Sequence, residues 1–194
     1  MWLAEHGECT IDRTEAKRKH MRKTILVMVT ALLLLLSNNT ALSQPADLQA
    51  QQKKVNSVKQ TQQGQEIFKL VDKYSKQYKV DSKFVHSVIL VESGYNPKAT
   101  SPCGAKGLMQ MMNGTFYARK VGNNPYDMEQ NIHAGVKHIA GLQAKYKGNM
   151  YMVASAYNVG GGAVDRALKT TGQLPRGTKD YVYRVQSYKQ LITF

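Results

Sequence analysis

From Ile67 to Tyr188 the apolar residues recur at intervals of three and four, segment after segment, and no stretch alternates with period two for long enough to make a strand. That restricts the chain to helices packed on helices. Ile67, Leu70, Val71, Tyr74 and Tyr78 form one amphipathic stripe. Asp81 is placed to N-cap a second helix, in which Phe84, Val85, Val88 and Glu92 share a face and which Gly94 and Pro97 bring to a stop. Asp127 and Gln130 have capping-box spacing ahead of a third helix, with Ile132, Val136, Ile139 and Tyr146 on one side and Gly148 at its end. Asn149 is placed to cap a fourth, running through Val153 to Asn158. Gly160-Gly161-Gly162 then interrupts, and Ala163 to Leu168 starts again. Thr178 is positioned to cap the last helix, with Tyr181, Val182, Val185 and Tyr188 facing inward. The expectation is one all-α domain over 64–194, built of short helices with little or no strand.

Ahead of it, a basic stretch from Lys17 to Lys23 is followed by an apolar run from Ile25 to Leu36 and a polar segment ending Ala41-Leu42-Ser43. These are the n-region, h-region and small-x-small site of an export signal. The apolar run falls well short of the roughly 20 residues that a membrane-spanning helix needs. Residues 1–43 are therefore read as an upstream extension plus signal peptide, cleaved after Ser43. The product has no stable membrane span and is periplasmic or secreted. Met21 would also begin such a signal, and an uncleaved anchor is the competing reading. Residues 44–63, rich in Gln and Lys and poor in apolar side chains, are expected to be a flexible spacer.

The formal net charge is +14, and beyond Ser43 there are 21 Lys and Arg against 9 Asp and Glu. Such an excess favours polyanionic partners: nucleic acid, anionic lipid or an acidic cell-wall polymer. The lysines are scattered, however, with no basic run beyond Ser43 longer than Lys53-Lys54, so no nucleic-acid partner is expected. Of two cysteines, Cys9 precedes the signal and Cys103 is left alone after cleavage, which excludes an internal disulfide. Cys103 follows Pro102 with no His or Asn nearby in sequence, the setting of an ordinary loop residue. His133 and His138 are five residues apart, about 140° around a helix, and do not converge on a metal.

The chemistry concentrates at Glu92. It lies in the last turn of an apolar helix, near the negative end of the helix dipole. Apolar neighbours and dipole both disfavour its ionisation and raise its pKa, which suits a general acid working near neutral pH. A loop follows, punctuated by glycine and proline, and then the methionine-rich Gly107-Leu108-Met109-Gln110-Met111-Met112.

Four blocks in this order resemble the lytic transglycosylases of the goose-lysozyme-like family, the catalytic domain of the soluble transglycosylases, over roughly Glu66 to Val185. They are Glu92-Ser93 with Asn96-Pro97, Ser101, Gly104-Ala105 and Gly107 to Met112; Asn131-Ile132 with Gly135; Ala156-Tyr157-Asn158 with Gly160; and Tyr181-Val182. The resemblance implies a lysozyme-like fold and a substrate of peptidoglycan glycan strands. Glu92 would protonate the glycosidic oxygen between N-acetylmuramic acid and N-acetylglucosamine. Most glycosidases need a second carboxylate, and the candidates here, Asp127, Glu129, Asp165 and Asp180, fall in no block. A single acid that afterwards serves as base fits that absence: the acetamido group assists at C1, the C6 hydroxyl attacks, a 1,6-anhydro ring closes, and no cofactor or metal is required. In the family's pattern Ser101 places a hydroxyl near the acid or the sugar, Gln110 hydrogen-bonds the glycan, and Met112 forms an apolar wall. Tyr157 approaches Glu92, and Asn158 orients its segment. Each has a plainer reading: Ser101 as a turn cap, Met109 and Met112 as core, Tyr157 as the partner of a buried backbone group.

The chain departs from the family in carrying Asn113 where a proline usually follows the second Met, a residue that can cap the next helix, and Val159-Gly160-Gly161 in place of Ala-Gly-Pro. Its short single-domain architecture resembles the specialised transglycosylases that open the wall for secretion, conjugation or pilus machines, a component of which is then a candidate partner. A lysozyme-type hydrolase of the same fold and a non-catalytic glycan-binding or recruiting protein are the alternatives.

Overall fold

The computed structural model describes residues 46–194. The extension, the signal peptide and its cleavage after Ser43 fall outside the described residues. Within them the chain runs α1 (Ala46–Lys59), α2 (Gln62–Tyr78), α3 (Ser82–Glu92), α4 (Asn113–Ala118), α5 (Met128–Lys145), α6 (Met150–Val159), α7 (Gly161–Thr171), a 3-10 turn at Arg176–Thr178, and α8 (Lys179–Lys189). Extended pairing among the described residues amounts to two isolated bridges, Thr100 with Lys106 and Lys106 with Met111. The expected all-α class holds.

The helix α3 lies in the core. Its Phe84, Val85, Val88 and Ile89 are fully buried, and a helix that is apolar all round has to lie inside. Both α2 and α8 pack along it, while α5 packs on α2, and α6 packs on α5 and α8. Asp81 starts it as expected, accepting from the Lys83 amide at 2.9 Å and pairing with Lys189 of α8. Glu92 is its last residue, so the helix carries a carboxyl from the core to the edge of a cleft.

The other caps divide. Asn149 accepts from the Met152 amide at 3.2 Å, and Asp127 accepts from that of Gln130 at 2.9 Å. The return half of the capping box does not form: Gln130 Oε1 accepts instead from the Asn123 and Asn124 amides at 2.8 and 2.9 Å, tying down the loop before α5. Thr178 does not cap α8. Its hydroxyl donates to the Pro175 carbonyl at 2.8 Å and accepts from Ser155 Oγ of α6 at 2.9 Å. It is fully buried, and these partners satisfy it there. Asn113 likewise is no cap: it is the first residue of α4, and Met112 occupies the cap position without a side-chain bond.

The stretch expected to be a flexible spacer is corrected by α1. Leu48, Val55 and Val58, spaced by seven and three, give a sparse but helical stripe; Val55 is fully buried, and Leu48 and Val58 pack against the core. Polar anchors supplement it. Gln52 donates to the Leu191 carbonyl at 3.2 Å, Lys59 to that of Thr193 at 2.7 Å, and Asp47 accepts from the Tyr188 hydroxyl. The helix is held by partners at the far end of the sequence, which local composition does not reveal.

Candidate active site

The loop between α3 and α4 is pinned from beneath by one residue of α5. Asn131 is fully buried. Its Oδ1 accepts from the Met109 amide at 2.8 Å, and its Nδ2 donates to the Lys106 and Pro125 carbonyls at 2.9 and 2.7 Å. Gly107 makes this approach possible. A Cβ there would lie 2.5 Å from both Asn131 Nδ2 and the Pro125 oxygen, and its φ of +75° is one that side-chain-bearing residues rarely adopt. One turn further along α5, a Cβ on Gly135 would sit 2.2 Å from Met109 Sδ. The second block of the resemblance is thus the bed on which the first block rests.

Above that bed lies a cleft of about 470 Å³, and every residue singled out from the sequence lines it: Glu92, Ser101, Gln110, Met112, Tyr157 and Asn158. Their individual roles are more specific than the sequence suggested. Ser101 Oγ accepts from the Ala105 amide at 3.0 Å, so it caps a turn and faces the cleft as well. Gln110 stands in the left-handed region at φ 45°, held there by its own side chain, whose Nε2 donates to the Ala99 and Gly107 carbonyls at 3.1 and 3.0 Å. The amide nitrogen is committed to the loop, and Oε1 is the atom it can offer a ligand. Of the two methionines in question, Met109 is fully buried core, whereas Met112 is 48% exposed on the cleft wall. Asn158 is exposed at the end of α6.

Tyr157 does what its plainer reading foresaw: its hydroxyl donates to the Met109 carbonyl at 2.7 Å, clamping the loop to α6. The direct partner of Glu92 is Tyr181 on α8, whose hydroxyl donates to Glu92 Oε1 at 2.7 Å. The sequence pattern places Tyr181 on an inward-facing stripe and gives it no role in the site. Its position in the fourth block, with a hydroxyl on a buried stripe, was the available signal. His138 lines the cleft, a position the sequence does not assign to it.

Burial raises the Glu92 pKa from an ordinary 4.5 to about 7, against the opposing pull of the Tyr181 hydrogen bond and the positive charge of Arg184. The buried hydroxyls of Tyr157 and Tyr181 are pushed upward, first by desolvation and then by the nearby Glu92 charge, so both stay protonated donors. No other carboxylate among the described residues lines the cleft. Asp127 caps α5. Glu129 pairs with Lys73 and accepts from the Tyr74 hydroxyl, each at 2.7 Å. Asp165 is tied to Lys145 and Tyr146, and Asp180 stands in the first turn of α8. No group of three metal-ligating side chains occurs among the described residues.

An all-α fold in which a buried helix carries one carboxyl to the edge of a cleft has a lysozyme-like arrangement. Residues 69–178 match the family model described as "Transglycosylase SLT domain", and the chain belongs to that family. It is 34% identical over 114 residues to a membrane-bound lytic murein transglycosylase C from Edwardsiella ictaluri, a match covering 50% of this chain and 32% of that protein. The 70 kDa soluble lytic transglycosylase of Escherichia coli superimposes with a TM-score of 0.58 at 26% identity, covering 63% of this chain and 23% of the other. An inactive glutamate-to-glutamine mutant of the lytic transglycosylase Slt from Pseudomonas aeruginosa superimposes with a TM-score of 0.55 at 28% identity, over 61% of this chain and 22% of the other. The matched region spans between 22% and 40% of the length of such curated relatives.

Proposed function

We propose that this protein is a peptidoglycan lytic transglycosylase acting outside the cytoplasm, with Glu92 as its single acid and base. Glu92, protonated, donates to the glycosidic oxygen between N-acetylmuramic acid and N-acetylglucosamine as the C1–O bond breaks. The neighbouring acetamido group of the muramic residue assists at C1. The Glu92 carboxylate then takes the proton of the C6 hydroxyl as that oxygen bonds to C1, closing a 1,6-anhydro ring and returning Glu92 to its starting form. Water is neither consumed nor needed as acceptor, and holding the attacking hydroxyl on the same sugar makes the step intramolecular.

The observation that carries this reading is that Glu92 is the one carboxyl among the described residues on the cleft, held near pKa 7 by burial. Tyr181 orients it, and the Met112 wall and the Gln110 and Ser101 rim suit a sugar chain. The inactive glutamate-to-glutamine mutant among the structural relatives supports the assignment of the acid by analogy. Digesting purified sacculi and weighing the products tests it. Anhydro ends are lighter than reducing ends by one water, and Glu92→Gln should release neither. Reducing ends would instead make the protein a lysozyme-type hydrolase, and release of either product by Glu92→Gln would refute the acid assignment.

A further inference from the structure

His138 lines the same cleft as Glu92, and nothing in the proposed reaction uses it. Its ring lies against that of Tyr157, with centroids 5.6 Å apart and planes at 44°. Neither ring nitrogen hydrogen-bonds a described residue, and neither is sealed in the core as His86 Nε2 is. Desolvation, reinforced by the charge of Arg119, lowers its pKa from 6.5 to about 4, so at neutral pH it presents one N–H donor and one bare acceptor. The same cleft exposes apolar side chains, Met112 at 48% and Val159 at 38%.

We infer that His138 is a positioning residue that reads an N-acetyl group of the bound glycan, hydrogen-bonding the acetamido function with one ring nitrogen while its methyl meets the apolar wall. This inference rests on the glycan reading of the cleft proposed above. An acetamido group offers a donor, an acceptor and a methyl together, whereas a sugar hydroxyl has no methyl to place. A de-N-acetylated sugar fits poorly, because its amine has no carbonyl and, once protonated, brings positive charge towards Arg119.

The test measures binding in the Glu92→Gln protein, which cannot turn over. The probes are a tetramer of β-1,4-linked N-acetylglucosamine and its de-N-acetylated counterpart. The unmodified cleft should prefer the acetylated tetramer. Adding His138→Phe, which keeps a ring against Tyr157, should weaken that tetramer about tenfold, the size of one lost hydrogen bond, and leave the other unchanged. His138→Gln, which restores a donor and an acceptor, should recover most of the preference. Equal weakening of both tetramers by His138→Phe, or of neither, overturns the inference while the proposed function stands. Failure of the Glu92→Gln protein to bind either tetramer overturns the inference, and the products released from sacculi decide the proposed function separately.

Discussion

Glu92→Gln should make the protein more stable, and only at high pH. In the folded chain the Glu92 pKa is raised from 4.5 to about 7 by burial, so the native state holds this proton more tightly than the unfolded chain does. Below the unfolded pKa both states are protonated and Glu92 costs nothing. As pH rises from 4.5 towards 7 the unfolded chain releases the proton and the native state does not, so stability falls. Above 7 the loss is complete and level. At 1.36 kcal/mol per pH unit, the plateau is about 3 kcal/mol. Glutamine resembles the protonated acid in shape, keeps an oxygen to accept from Tyr181, and never ionises, so it escapes the whole penalty. Equilibrium urea unfolding of wild type and Glu92→Gln at about pH 4 and about pH 9 reads the effect as a difference of differences, which cancels any pH-independent cost of the substitution. Thermal midpoints should separate by about 6–12 °C more at the alkaline pH than at the acidic one. A gap that is the same at both pH values would show that Glu92 titrates as an ordinary surface carboxylate, and the account of its burial would be wrong.

Three further substitutions probe the surroundings. Tyr181→Phe removes the hydrogen bond that favours the carboxylate, so the Glu92 pKa should rise further; the alkaline limb of kcat/KM for muropeptide release should move to higher pH, whereas a limb moving to lower pH would contradict the assignment. Asn131→Ala strands the Met109 amide and the Lys106 and Pro125 carbonyls, and should cost about 3 kcal/mol or more in urea unfolding, together with activity. Val55→Asp places a charge at a fully buried site on α1 and should lower the thermal midpoint strongly. If α1 were only a spacer, the change would stay within about 0.5 kcal/mol.

What the sequence revealed depended on how local the cause was. Helices signalled by periodicity and a preceding Asp or Asn were legible because cap and stripe lie within a few residues of each other, as at Asp81 and Asn149. Thr178 misled because its hydroxyl is claimed by Ser155, 23 residues away in sequence, a partner that only tertiary packing supplies. The helical state of α1 was hidden for the same reason, since its anchors are Tyr188, Leu191 and Thr193. In the cleft, all six expected residues converged because the blocks that name them are short and ordered. The hydrogen bond from Tyr181 to Glu92 spans 89 residues. Its geometry emerges only once α3 and α8 are packed.

That contact also clarifies how one acid can serve twice. In the proposed reaction the same carboxyl gives a proton to a leaving oxygen and then takes one from an attacking hydroxyl. A strongly raised pKa would suit the first half and spoil the second, because the proton would scarcely leave; an ordinary carboxylate would be ionised before it could act. Efficiency in both directions calls for a pKa near the working pH. The site reaches about 7 by opposing effects: burial on α3 favours the neutral acid, while the Tyr181 hydroxyl and the Arg184 charge, both borne by α8, favour the anion. The two demands are thus assigned to two helices, and the packing of α8 on α3 sets the balance between them. A substitution in that interface should therefore move the alkaline limb of the pH profile without touching the substrate, and one that removes only the Arg184 charge should move it upward.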